Sequence, residues 1–169
     1  MAERFEIRIN DQVRTVDAEP DTPLLYVLTD QLEMQGPRFG CGLAQCGSCS
    51  VLIDGVETRS CVTPVSTIDG RSVTTLEGLP AWYAEQQSLD EIPELHPIQQ
   101  AMIDEQALQC GYCFNGMIIK ASELLANHPR PSEAEIKSAM NGHLCRCGMY
   151  PRIVKAIQRA AERMGEVAA

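Results

Sequence analysis

The eight cysteines constrain this chain of 169 residues more than any other feature. They form two groups of four separated by a long gap: Cys41, Cys46, Cys49 and Cys61, and then Cys110, Cys113, Cys145 and Cys147. The N-terminus lacks the charged and then apolar pattern of a signal peptide, so the cytoplasm is the expected compartment. Thiols stay reduced there, and grouped cysteines in a reducing compartment indicate metal binding before disulfides.

The first group, the first ligand set, has the spacing C-x4-C-x2-C followed by a fourth cysteine, Cys61. This is the spacing of plant-type [2Fe–2S] ferredoxins. Gly40, Gly42 and Gly47 allow the loop to adopt positive φ angles and to bring its N–H groups close to sulfur. A structural zinc site is the alternative, but such sites usually pair two short C-x2-C hooks. The three-cysteine loop therefore favours an iron–sulfur cluster.

The second group, the second ligand set, consists of two short hooks. Cys110-Gly111-Tyr112-Cys113 alone is compatible with a redox disulfide, a zinc knuckle or a cluster site. Cys145-Arg146-Cys147 requires an irregular turn, because neighbouring helical positions direct their side chains apart. Each hook precedes a predicted helix, and the N–H groups and dipole at a helix N-terminus suit an anionic cluster.

The hydrophobic pattern predicts an α+β chain with two domains. Residues 1–77 read as β-rich, with alternating apolar residues near the N-terminus and a strong hairpin turn at Asp54-Gly55. Residues 78–96 hold Gly, Pro and the polar run Glu85-Gln86-Gln87, which predicts a linker. Residues 97–169 carry the apolar spacing of successive helices.

Proline and serine positions predict several helix boundaries. Pro23 is suited to open a short helix in the first half, and Pro151 to open the last helix of the second half. A helix should end before Pro129, and Ser132 with the acidic residues after it is typical of a helix start.

Charge and motifs exclude several functions. A formal net charge of -9 argues against binding nucleic acid or an anionic membrane surface, and no apolar run is long enough to span a bilayer. The sequence holds no nucleophile–base pair, phosphate loop or flavin or nicotinamide fingerprint. We therefore expect a chain with redox centres that does not turn over a substrate alone.

In order and spacing, all eight cysteines resemble those of the small iron–sulfur subunits of the molybdenum hydroxylases, the xanthine oxidase family. The motifs that carry the resemblance are Gly40-Cys41-Gly42, Cys46-Gly47-Ser48-Cys49, Gln109-Cys110-Gly111-Tyr112-Cys113 and Leu144-Cys145-Arg146-Cys147. The resemblance covers nearly the whole chain. It implies two [2Fe–2S] clusters, an N-terminal plant-ferredoxin-like β-grasp domain and a C-terminal four-helix bundle domain.

The same resemblance implies a large partner subunit with a molybdopterin-type molybdenum cofactor at the interface. Electrons would leave it through the two clusters to an external acceptor, a cytochrome or a flavin subunit. The second ligand set would hold the cluster nearest molybdenum, and the first set the cluster on the exit side. Gln109 would hydrogen-bond the pterin, and Cys147 would touch it while ligating iron.

Three loop segments differ from the commonest pattern of the family: Phe114-Asn115-Gly116, Gly148-Met149-Tyr150 and Leu43-Ala44-Gln45. They resemble the branch with nicotinate dehydrogenase, isoquinoline oxidoreductase and some bacterial aldehyde dehydrogenases. The branch implies an aromatic N-heterocycle such as nicotinate as substrate, with an aldehyde as the alternative. A free-standing ferredoxin is a further alternative, although it would not need the C-terminal half.

Four other polar residues lie at informative positions. His143 is predicted to be a loop residue beside a cluster, because the eight cysteines already complete both ligand sets. His96 is predicted to cap or precede a helix, and His128 to lie at a helix end. Arg146 is predicted to be a charge partner of the second cluster or of the pterin phosphate.

Overall fold

A five-stranded mixed sheet forms the N-terminal half of the structure, a computed structural model that describes residues 1–167. The strands are β1 (Glu3–Ile9), β2 (Gln12–Ala18), β3 (Ser50–Ile53), β4 (Val56–Arg59) and β5 (Ser72–Thr74). Their order in the sheet is β2-β1-β5-β3-β4. β1 and β5 run parallel, whereas the other neighbours are antiparallel. This is the predicted β-grasp arrangement of an α+β protein.

The sequence pattern of β1 explains how the sheet acquires its buried face. Phe5, Ile7 and Ile9 are buried and alternate with exposed residues, as the period of two in a strand requires. Asn10 and Asp11 both have positive φ angles in the turn to β2. A two-residue hairpin needs such angles to match the twist of its strands, and Asn and Asp tolerate them well.

A short helix packs on this sheet where Pro23 predicts it. Pro23 is the N-cap of α1 (Leu24–Tyr26), which continues as a π-helical turn over Val27–Gln31. Leu24, Val27 and Leu28 are fully buried in the same core as the apolar side of β1. Leu25 of the same helix is buried in a separate cluster with Cys49 and Cys61.

Four helices form the C-terminal bundle, as predicted: α3 (Pro97–Asp104), α4 (Phe114–Asn127), α5 (Glu133–Ala139) and α6 (Tyr150–Val167). α4 ends before Pro129, and Pro151 lies in the first turn of α6. Ser132 caps α5, where its hydroxyl accepts a hydrogen bond from the N–H of Glu135 at 3.3 Å. Among residues 1–167, no helix is both long and apolar enough to cross a membrane.

The segment predicted as a linker contains a further helix, α2 (Leu79–Gln87). Pro80 stands in its first turn, where proline is well tolerated. Leu79 and Tyr83 are buried in the core of the helical half. Their i, i+4 spacing is the signal that the Gly- and Pro-based interpretation of this segment did not take into account.

His96 is a buried helix cap, consistent with its predicted position before a helix. Its Nδ1 accepts a hydrogen bond from the N–H of Ile98 at 3.1 Å, and the side chain of Gln99 accepts one from the His96 N–H. Trp82 and Tyr83 pack against the imidazole ring. Burial lowers the pKa of His96 to about 3, so the ring is neutral in the folded chain.

This burial predicts a specific sensitivity to acid. The unfolded chain binds a proton at His96 near pH 6.5 and the folded chain only near pH 3, so stability falls as the pH drops below 6.5. The cost is about 1.4 kcal/mol per pH unit. Between pH 6 and 5, urea unfolding should show a steeper loss of stability in the natural chain than in His96→Asn, which keeps a capping oxygen. Equal slopes would contradict the assignment.

Candidate metal centres

The loop of the first ligand set directs backbone N–H groups at sulfur. The N–H groups of Leu43 and Gln45 each lie 3.3 Å from Cys41 Sγ, and the N–H of Cys41 lies 3.4 Å from Cys46 Sγ. Gly47 has φ +80, an angle that the tight loop needs and that glycine adopts without strain. Burial alone would raise the pKa of Cys41, but the hydrogen bonds outweigh it and lower that pKa to about 7.

The other two thiols of the first ligand set lie beneath this loop. Cys61 arrives on the short helical turn Ser60–Val62 after β4, and it is buried with Cys49 against Leu25. Burial, together with the neighbouring Cys61 thiol, raises the pKa of Cys49 to about 11. Ser60 Oγ donates a hydrogen bond to the carbonyl of Cys49 at 2.6 Å and ties the turn to the loop.

The second ligand set combines the turns before α4 and α6. Cys110 Sγ and Cys147 Sγ are 3.4 Å apart, and Cys110 is exposed whereas Cys145 is buried. The backbone N–H of Tyr112 and the Cys147 thiol lower the pKa of Cys110. Burial and the nearby Cys145 thiol raise the pKa of Cys113 to about 12.

The donor chemistry of both sets fits a [2Fe–2S] cluster. The thiols lie in neighbouring pairs: Cys49 with Cys61 in the first set, and Cys110 with Cys147 and Cys113 with Cys145 in the second. Burial and the neighbouring thiol together raise the pKa of Cys49 and of Cys113. Bound iron would offset this cost, because its positive charge stabilises the thiolate form that coordinates a metal. The N–H groups around the first set would offset the negative charge that the cluster retains.

The two ligand sets meet at a seam, which we define as the contacts of loop 41–50 and Arg59 with residues 115–116 and 142–144. The N–H of Leu144 donates a hydrogen bond to the carbonyl of Cys46 at 2.9 Å. Leu144 directly precedes Cys145, so one hydrogen bond connects the backbones of the two sets. Beside the seam, the Tyr112 hydroxyl donates a hydrogen bond to the carbonyl of Phe39 at 2.5 Å.

The first turn of α4 forms the tightest part of the seam. Asn115 Nδ2 donates hydrogen bonds to the carbonyls of Ser48 at 2.9 Å and Ser50 at 2.8 Å. Gly116 rests directly on the backbone of Gly47, where a β-carbon would lie 2.6 Å from the Gly47 carbonyl carbon. Asn115 and Gly116 belong to a segment that the sequence marked as unusual for the family without giving it a role.

The predicted site residues outside the cysteines lie at different depths. Gln109 is exposed and lines an open cavity of about 530 Å³ with Ile103 and Arg152 among its walls. Arg146 is also exposed. His143 is buried in the seam with its Nε2 3.0 Å from an Arg59 nitrogen, and His128 is the C-cap of α4. Sequence reasoning missed Arg59, which no motif marks.

Comparison with known proteins identifies the family of this chain. A family described as a 2Fe-2S iron-sulfur cluster binding domain matches residues 7–72, and one described as a [2Fe-2S] binding domain matches residues 75–158. A nicotinate dehydrogenase subunit from Pseudomonas putida is 48% identical over 162 residues, covering 96% of this chain and 97% of that protein. The chain is a small [2Fe–2S] subunit of the molybdenum hydroxylase family.

Two further proteins support the same family. The alpha subunit of isoquinoline 1-oxidoreductase from Brevundimonas diminuta is 48% identical over 159 residues, covering 94% of this chain and 97% of that protein. A chain of quinoline 2-oxidoreductase from Pseudomonas putida 86 superimposes with a TM-score of 0.85 at 36% identity, covering 98% of both chains. The predicted family and the two predicted clusters are thereby confirmed, and this small subunit belongs to a molybdenum-dependent oxidoreductase.

Proposed function

We propose that this small subunit carries electrons from a molybdopterin centre on a large partner subunit to an external acceptor. A [2Fe–2S] cluster supplies one-electron redox chemistry at a potential that its protein surroundings adjust. The observation that carries the proposal is the hydrogen bond from the Leu144 N–H to the Cys46 carbonyl, which connects the two ligand sets directly. A free-standing ferredoxin would need only one set, and here two are built into one seam.

We assign one [2Fe–2S] cluster to each of the two ligand sets. The first ligand set would hold one cluster in the sheet domain, residues 1–77, and the second would hold the other in the helical domain, residues 97–169. In each set the chain supplies four thiols from two converging segments. We place this assembly in the cytoplasm, because eight thiols must stay reduced until they receive iron.

The second ligand set is the side that we assign to the large subunit. Cys110 and Gln109 are exposed there, and Cys147 is half-buried. The adjoining cavity of about 530 Å³ has Gln109 and Arg152 among its walls, an amide and a cation. The amide can exchange hydrogen bonds with a pterin ring system, and the cation can pair with its attached phosphate.

The first ligand set is the side that we assign to the external acceptor, which we propose to be a cytochrome. Leu43 and Phe39 are exposed beside the Cys41 loop, with 66% and 50% of their surface accessible. Exposed apolar residues near a redox centre suit a weak, transient contact with a second redox protein. Purification of the native complex with a flavin-containing chain in place of a cytochrome would contradict this choice.

The experiment that tests the proposal is purification of the complex from its natural source. We expect four irons per small subunit, molybdenum in a co-purifying larger chain, and two distinct EPR signals on reduction. We expect the complex to oxidise an aromatic N-heterocycle such as nicotinate, and oxidation of aldehydes alone would favour the alternative substrate. A colourless small subunit that carries zinc would refute the proposal.

Replacing Gln109 by alanine tests the pterin side of the proposal. The side chain is exposed, so its loss should leave folding and the iron content unchanged. Removing one hydrogen bond to the pterin should lower substrate turnover by about tenfold, because such a bond is worth roughly 1–1.5 kcal/mol. The molybdenum EPR signal should change while the two cluster signals persist. Loss of half the iron would contradict the assigned role.

A further inference from the structure

Arg59 places a mostly buried cation in the seam. It is the last residue of β4 and lies two positions before Cys61. Its side chain is only 16% exposed, and its guanidinium pairs with the Glu57 carboxylate, whose side chain is 11% exposed. A charge so removed from water must be held by several partners, because an unpaired buried charge is strongly destabilising.

The guanidinium reaches three separate segments of the chain. Arg59 Nη2 donates a hydrogen bond to the carbonyl of Gly142 at 3.0 Å, and Nη1 donates one to Ser50 Oγ at 2.8 Å and lies 3.0 Å from His143 Nε2. Its Nε lies 3.4 Å from the carbonyl of Ala44, inside the loop of the first ligand set. One side chain thus connects this loop, the start of β3 and the approach to the second ligand set.

Leu144, which directly follows the two residues that Arg59 contacts, connects the two ligand sets. Gly142 and His143 are held by Arg59, and the next N–H, that of Leu144, donates to the carbonyl of Cys46 at 2.9 Å. A shift of residues 142 and 143 would therefore withdraw that N–H. Only an arginine can serve all of these acceptors, because its five N–H donors are arranged in a rigid planar fork.

We propose that Arg59 is a positioning residue that fixes the alignment of the two clusters by holding the Leu144–Cys46 hydrogen bond in place. The role of this alignment in catalysis rests on the proposed electron-transfer function. The contacts of Arg59 with Ala44, Gly142 and His143, which we call the Arg59 clamp, are a property of this chain alone. The clamp acts through backbone geometry, since the guanidinium donates to backbone carbonyls on both sides of the seam.

The test compares Arg59→Lys with Arg71→Lys in the full chain with both clusters. Arg71 undergoes the same substitution in an exposed ion pair with Asp54, outside the seam. We expect amide hydrogen exchange in the segment 142–145 to speed up about tenfold in Arg59→Lys and to stay unchanged in Arg71→Lys. Mass spectrometry of the peptide that spans residues 142–145 measures this exchange rate.

Two cluster readouts accompany the exchange measurement. The spin–spin interaction between the two reduced clusters should weaken in low-temperature EPR. Electron transfer from one cluster to the other after flash reduction should slow severalfold, because electron tunnelling weakens as the distance between the two clusters grows. A lysine keeps the positive charge, so the cluster potentials should change little while alignment is lost.

A second variant secures the test if Arg59→Lys fails to bind four irons. His143→Asn leaves Arg59 in place and removes one of its partners, so exchange in the segment 142–145 should speed up about threefold. Unchanged exchange and unchanged cluster coupling in either iron-loaded variant would overturn the clamp. These readouts need no partner subunit, so a chain that purifies without molybdenum would refute the proposed function and leave the clamp standing.

Discussion

Replacing Cys61 by serine should stop electron delivery to the external acceptor while the partner subunit is still reduced by its substrate. Cys61 is the one member of the first ligand set outside the Cys41–Cys49 loop, and it is buried beside Cys49. A serine hydroxyl is a poor iron ligand in a site of thiolates. The first cluster should therefore fail to form or be lost rapidly, whereas the second ligand set keeps all four cysteines.

The expected loss is large. Mutating even an outer partner of a metal ligand costs about 10- to 100-fold in affinity or activity, so loss of the ligand itself should lower acceptor turnover by about 100-fold or more. Iron analysis should find about half the normal iron. EPR of the variant complex should retain the molybdenum signal and one of the two cluster signals after addition of substrate.

Cys145→Ser is the matched variant in the second ligand set, because Cys145 is likewise buried beside another thiol of its set. Here the order of events should reverse, and substrate should leave the remaining first cluster oxidised. Normal acceptor turnover in Cys61→Ser, or a first cluster that is still reduced by substrate in Cys145→Ser, would contradict the assigned order of the clusters.

Local patterns in the sequence were sufficient to predict most of the fold. Cysteine spacing such as that from Cys41 to Cys49 depends on one loop, and the alternation in β1 on one strand, so both can be interpreted without knowledge of distant residues. The α+β class, the family and the two clusters, predicted from these patterns and from the resemblance, are confirmed by the comparisons with known proteins. The roles of Gln109 and of the individual cysteines stay predictions.

The seam could not be predicted, because its contacts join residues far apart in the chain. Arg59 and Gly142 are 83 positions apart, and Asn115 and Ser48 are 67 positions apart. No periodicity or motif relates such pairs in a single sequence. The sequence did mark Phe114-Asn115-Gly116 as a departure from the family pattern, and the structure shows that this departure supplies contacts to the loop of the first ligand set.

Replacing Gly116 by alanine should disrupt that seam, because the added methyl group would meet the backbone of Gly47. The added β-carbon would lie 2.6 Å from the Gly47 carbonyl carbon and 3.3 Å from the His143 ring, and both neighbours are buried. The obstacle is backbone on one side, which cannot rotate away. Overpacking of this kind costs about 3 kcal/mol, although alanine favours the helix by up to about 1 kcal/mol.

The stability change should be accompanied by loosening of the two ligand sets relative to each other. If α4 moves away from Gly47, Asn115 can no longer donate to both Ser48 and Ser50, and their carbonyls turn to solvent. Exchange of the amides in loop 46–50 should accelerate together with that of Leu144, because all belong to one seam. Urea unfolding and hydrogen exchange measure the two effects on the same sample.

Gly165→Ala provides the matched control, since Gly165 also lies in a helix but a β-carbon there would meet only the flexible end of Arg130 at 3.8 Å. That variant should gain roughly 0.5–1 kcal/mol of stability from helix propensity alone. Glycine-to-alanine replacement should thus lower the free energy of unfolding at position 116 and raise it at position 165. A Gly116→Ala chain as stable as the natural one would mean that α4 can withdraw from the loop freely, and that the seam does not fix the distance between the clusters.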